Sequence, residues 1–276
     1  MKAYETKKLH ISSTGRDIKI LIISPVKNKK APSLTPGILW IHGGGYKTGM
    51  AEMAFFSRPL ALVKKYGAVV VCLNYRLSGE APYPAALEDC HSALCYLKDH
   101  AAELGINENQ IMVGGESAGG GLTAALCMYA RDRKSVSIAF QMPLCPMLDD
   151  RDTDSSRNNH APVWNTRRNH AAWKLYLKGL DEIPPYAVPA RQTDYKDLPP
   201  AYTYVGEDEP FYRETLSYIE NLKGAGVDAH VDVYPHWFHS FDLFFPFLPK
   251  SKKAIQKFEK AYQYAAEHYT APQNKE

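Results

Sequence analysis

The chain has 276 residues, with 33 Lys and Arg against 30 Asp and Glu, so its formal charge is only +3. With 45% apolar and 23% charged residues it is composed like a globular protein, able to bury about 75% of its unfolded surface, and not like a disordered chain. So small a charge gives little counterion release toward nucleic acid, and the densest basic runs, Lys27, Lys29, Lys30 and Lys250, Lys252, Lys253, read as solvated surface.

The N-terminus carries no apolar stretch that could serve as a signal-peptide core, and no later run approaches the roughly 20 apolar residues needed to cross a bilayer. A soluble, cytoplasmic protein is expected, with no membrane and no nucleic-acid partner; a homodimer is left open. Apolar runs then alternate with longer amphipathic stretches, the pattern of a largely parallel sheet covered by helices. Eight strands are predicted, at 9–12, 18–24, 37–41, 68–73, 110–114, 138–143, 201–205 and 229–234, the first two joined by the turn Thr14-Gly15-Arg16-Asp17 as an antiparallel pair. Helical spacing links Leu60, Leu62 and Val63, then Ala86, Leu87, Cys90, Ala93, Leu94 and Leu97, then 122–128, then Leu216, Ile219 and Leu222, with a last helix over 252–268.

Residues 146–200 contain no strand-like run but hold a polar tract, 149–159, and a helical segment, 165–177. A structureless loop of this length is improbable in a compact domain, so an inserted cap is expected within a single domain spanning 1–276. The aspartates Asp149, Asp150, Asp152 and Asp154 lack the glycine and terminal glutamate of a calcium loop, and no metal is expected. Cys72, Cys90, Cys95, Cys127 and Cys145 are odd in number and show no C-x-x-C spacing, which reads as free thiols in a reducing compartment.

The chemistry starts at Gly115-Glu116-Ser117-Ala118-Gly119, a G-x-S-x-G pattern directly after a predicted strand and before a predicted helix. A serine on such a sharp turn has an exposed Oγ and is the expected nucleophile. It needs a base and a group of donors for the developing oxyanion. His42-Gly43-Gly44-Gly45 follows another strand, and Gly44 and Gly45, with the N–H of Ala118, are the expected oxyanion donors, His42 bracing the loop. Acid and histidine should follow the serine in that order. Glu207, Asp208 and Glu209 follow one strand, and His236 and His239 follow the next, so three acids and two histidines compete for two roles.

These motifs, together with Asn74-Tyr75-Arg76-Leu77, Tyr83-Pro84-Ala85-Ala86-Leu87-Glu88-Asp89 and Asp197-Leu198-Pro199-Pro200, resemble the hormone-sensitive-lipase-like branch of the α/β-hydrolase family over about residues 36–145 and 197–245. The resemblance implies an α/β-hydrolase fold, a three-layer sandwich whose eight-stranded sheet is antiparallel only at its second strand, under a small helical cap. It implies a serine carboxylesterase working through an acyl-enzyme, with Ser117, His239 and Glu209 as triad, Asp208 as competing acid, and no cofactor. Glu209 stands where relatives carry Asp before Pro, Ser240 stands where they carry Gly, and His236 reads as a rim residue. Arg76 and Glu80 read as structural.

Relatives start with helices that form part of the cap, whereas this chain reaches its first strand within about eight residues, so a reduced lid over a more open pocket is expected. Tyr46, Glu116, Trp164 and Trp237 are the expected substrate contacts, Trp173 and Tyr176 further pocket walls, and most of the run Trp237, Phe238, Phe241, Phe244, Phe245, Phe247 is expected in the core. The near-neutral charge fits small or medium, uncharged esters. A deacetylase or amidase on the same site, or a non-catalytic ligand-binding relative, are the alternatives.

Overall fold

The computed structural model describes residues 3–26 and 34–274; the first basic run, at Lys27–Lys30, lies outside them. Strands β1 (Tyr4–Ser13) and β2 (Arg16–Pro25) form the predicted hairpin, with Ser13 opposite Arg16. Both are longer than the apolar pattern suggests, because β1 is an edge strand whose first residues are mostly exposed and polar. Then follow β3 (Thr35–Ile41), α1 (Arg58–Tyr66), β4 (Val69–Leu73), α2 (Ala85–Asp99), the short α3 (Ala101–Leu104), β5 (Ile106–Glu116), α4 (Ala118–Arg133) and β6 (Phe140–Leu144). After the insertion, which holds α5 (Thr166–Tyr176), come β7 (Ala201–Gly206), α6 (Tyr212–Gly224), β8 (Ala229–Tyr234), α7 (Phe241–Phe244) and α8 (Pro249–His268).

The strand order is β1-β2-β4-β3-β5-β6-β7-β8. β2 runs antiparallel to both its neighbours, and every pair from β4 onward is parallel. Side chains alternate faces along each strand. Ile20, Ile22, Leu39, Ile41, Val69 and Val71 therefore join one core with α2, α4 and α6, while Leu21, Ile23, Ile38, Trp40, Val70 and Cys72 join another with α1 and α8. Helices on both faces leave the strands apolar on both sides, which is why they read as continuous runs.

Candidate active site

The loops that follow β3, β5, β7 and β8 emerge at one end of the sheet, and each carries one part of the site. Between β5 and α4, Ser117 has φ 60° and ψ −122°, strained for a residue with a side chain. Its N–H donates to Leu144 O (2.9 Å) and its carbonyl accepts from Met147 N and Gly121 N (3.0 Å each), which hold the turn. The helix starts hard against β3: a Cβ on Gly119 would lie 2.1 Å from Ile41 O, so only glycine fits.

His239 joins both partners. Its ring accepts at Nε2 from Ser117 Oγ at 2.9 Å and donates from Nδ1 to Glu209 Oε2. The other oxygen of Glu209 accepts from Gly206 N at 2.7 Å, which fixes the carboxylate's direction. All three residues are buried, Ser117 being 7% exposed. Burial disfavours the charged ring, but the neighbouring Cys145 and the Glu209 carboxylate outweigh it and hold His239 above the ordinary histidine range. Asp208, by contrast, is exposed and lines a surface cleft with Glu207, and His236 is exposed as well.

The glycine loop lies beside the serine, since a Cβ on Gly43 would come 3.2 Å from Ser117 Cβ. Gly44 needs its φ of +115°, and a Cβ there would meet Thr48 O at 2.1 Å. Among the described residues, the N–H groups of Gly44, Gly45 and Ala118 donate to no protein acceptor. His42 is buried, stacks on Tyr75 (4.2 Å) and pairs through Nδ1 with Gly43 O (2.8 Å); burial lowers its pKa to about 4, so it is a neutral brace. Arg76 grips the buried Asp89 through Nε and Nη2 (2.9 and 2.8 Å), tying the loop after β4 to α2.

The expected substrate contacts divide. Trp164 lies over Gly45, close enough that a Cβ there would be 2.2 Å from its ring, and it lines a cleft with Gly44. Tyr46 is not at the rim: it is 1% exposed and stacks on Tyr176 at 3.9 Å, with Trp173 5.6 Å away, so all three rings dock the oxyanion loop onto α5 and none of them is an open pocket wall. Glu116 is buried and accepts from Ser57 Oγ; burial raises its pKa despite nearby Arg58, and its contact braces the start of α1. Trp237 packs on Phe241 (4.9 Å) and Phe238 (6.1 Å).

Nor is most of the aromatic run core. Phe241 is buried, but Phe244, Phe245 and Phe247 are 58%, 49% and 83% exposed, because the four-residue α7 presents only one side to the sheet and the chain then crosses the surface to α8. Around the site, Trp164 covers Gly45, and Phe211 packs its ring at right angles to His239 at 5.0 Å.

Two features escaped the sequence reading. Arg58 and Asp242, 184 residues apart, form a buried ion pair, and Tyr204 Oη donates to Asp242 at 2.7 Å. Cys145 Sγ, a carboxylate oxygen of Glu209 and a ring nitrogen of His239 all lie within 4.8 Å of one another, the one metal-like grouping among the described residues, but its carboxylate and imidazole already serve each other. Three aspartates of the polar tract are engaged by other side chains: Asp149 by Arg151, Asp150 by Arg191 and Asp152 by His170 Nε2 at 2.7 Å.

A family model described as the alpha/beta hydrolase fold matches residues 38–243. The chain belongs to the α/β-hydrolase family. It is 31% identical over 227 residues to carboxylesterase NlhH of Mycobacterium tuberculosis, covering 79% of this chain and 70% of that protein. Esterase LipI of the same species is 30% identical, with 80% of this chain and 70% of the relative covered. Among solved structures, a bacterial heroin esterase superposes with a TM-score of 0.89 at 32% identity, covering 96% of this chain and 85% of the other. Esterase LipW of Mycobacterium marinum follows at 0.85 and 29%, covering 95% and 82%. Among the described residues, no helix is long and apolar enough to cross a membrane.

Proposed function

We infer that the protein is a serine carboxylesterase of small to medium acyl esters, and the observation that carries this is the hydrogen-bond chain from Ser117 Oγ through His239 to Glu209. Neutral His239 takes the Ser117 proton as Oγ attacks the ester carbonyl, and the tetrahedral oxyanion is met by the N–H groups of Gly44, Gly45 and Ala118. His239 returns the proton to the leaving alcohol, and a water then repeats the cycle on the acyl-enzyme. Glu209 holds the tautomer that leaves Nε2 free to accept and stabilises the charged ring. The relatives named carboxylesterase and esterase support the bond type.

The same reading takes residues 146–200 as a cap on one domain, whose Trp173, Tyr176, Val188 and Leu198 share the core beneath it. It places the protein in a reducing cytoplasm, in keeping with five unbridged thiols; light scattering on the eluted protein decides between monomer and homodimer. The decisive experiment is turnover of a short p-nitrophenyl ester by wild type and Ser117→Ala, with fluorophosphonate labelling of the wild type. Wild-type turnover should fall by about 10⁶-fold in the variant; turnover that survives the substitution overturns the assignment.

A further inference from the structure

Two surface clefts are lined by residues of the loops that carry the site, and they differ in charge. One, of about 570 Å³, is lined by Phe238, the chain neighbour of His239, and by the carboxylates Asp154, Glu207 and Asp208 together with Arg157 and His160. The other, of about 560 Å³, is lined by Gly44 of the glycine loop, Trp164, Lys47, Arg167 and Arg168, with no carboxylate in its lining. Among the described residues these three cations form no ion pair. Arg167 and Arg168 sit in the first turn of α5, which has no acidic residue there. Positive charge at that end of a helix opposes its dipole and costs stability, so the cations are not there to hold the helix.

Reaction geometry assigns the two clefts. The leaving alcohol must take its proton from His239 Nε2, so it departs on the histidine side. The acyl arm leaves the reacting carbon on the side away from the departing alcohol, and the basic cleft shares Gly44 with the loop proposed to hold the carbonyl oxygen. Resting on the esterase reading above, we propose that Lys47, Arg167 and Arg168 form an acyl subsite for a terminal carboxylate, so that the preferred substrates are monoesters of dicarboxylic acids. The chain-wide charge of +3 conceals this local field, and such monoesters depart from the uncharged esters expected from that charge. A carboxylate on the alcohol would instead face Asp154, Glu207 and Asp208 and be disfavoured.

The test compares mono-p-nitrophenyl adipate with p-nitrophenyl hexanoate, which share chain length and leaving group. Wild type should show a higher kcat/KM for the adipate, expressed mainly in KM, and the preference should shrink as ionic strength rises from about 0.01 to about 1 M and the Debye length falls from about 30 to about 3 Å. In Lys47→Gln/Arg167→Gln/Arg168→Gln the adipate-to-hexanoate ratio should drop at least about tenfold, the sum of three exposed pairings. Because Arg168 also donates to Val163 O, Lys47→Gln/Arg167→Gln is assayed alongside and should move the ratio in the same direction. Equal kcat/KM for the two esters, or a ratio unmoved in both variants, overturns the subsite while leaving the esterase reading intact. Absence of turnover on both esters, or turnover surviving Ser117→Ala, overturns the esterase reading and the subsite with it.

Discussion

In the proposed mechanism His239 works only while its Nε2 is free to accept a proton, and its surroundings stabilise the charged ring. The sign is then determined: as pH falls through a raised pKa the base is lost, so the acid limb of kcat/KM should have its midpoint above the unperturbed 6.5 or so. Glu209→Gln removes the carboxylate charge and the tautomer control together. It should lower kcat by about 10⁴-fold and move the limb down toward 6.5, measured as a kcat/KM profile from pH 5 to 9. A variant whose rate falls while its limb stays in place would show that Glu209 orients the ring without setting its charge. Asp208 is the control at this scale, since its side chain faces solvent and Asp208→Asn should leave the profile where it is.

At the scale of elements, α1 and α7 are tied to the sheet by Arg58 and Asp242, both nearly solvent-free, with Tyr204 of β7 donating into the pair. Such a pair is poor evidence of net stabilisation, because desolvating two charges offsets most of their attraction. Breaking it is another matter. Asp242→Ala leaves a buried guanidinium without its counter-charge and should cost about 3–5 kcal/mol in denaturant unfolding, whereas Arg58→Met/Asp242→Leu should cost far less. The same contact positions the loop that carries His239, so Asp242→Ala should also raise the sensitivity of activity to mild denaturant. On the other face, Tyr46 stacked on Tyr176 fastens the oxyanion loop to the insertion. Tyr176→Ala should therefore destabilise by about 3–5 kcal/mol, as large aromatic truncations do, and lower kcat through the loop.

For the molecule as a whole, one buried contributor to the pH dependence of folding lies outside the site. Glu214 of α6 is buried and uses one oxygen to accept from Leu148 N (2.6 Å) and Asp149 N (3.3 Å) at the start of the insertion, while Oε2 has no partner among the described residues. Burial, reinforced by Asp149, holds its pKa well above the usual carboxylate range. An acid whose folded pKa is raised is protonated in the fold and ionised in the unfolded chain, so stability declines as pH rises above the unfolded value of about 4.3. Glu214→Gln keeps the accepting oxygen and removes the titration. Its unfolding free energy should be close to wild type near pH 5 and exceed it near pH 8, as read from urea melts at both values.

The sequence by itself determined what depends on local pattern and chain order. Strands buried on both faces announce themselves as apolar runs, the serine turn is written in five consecutive residues, and the order serine, acid, histidine reduces the search to two short loops. Its boundaries failed where the signal is weak: at the polar start of β1, and in α3 and α7, which at four residues each are too short to show a period. The tertiary structure decided everything that depends on which distant side chains meet. It brought Glu209 to His239 and left Asp208 in solvent, because one backbone step turns a side chain from the core to the surface. It moved Tyr46 under its loop, paired Arg58 with Asp242, and gathered Lys47, Arg167 and Arg168 around one cleft. None of these leaves a mark in a local window, since each arises from convergence of segments more than 100 residues apart or from burial that only the assembled layers create.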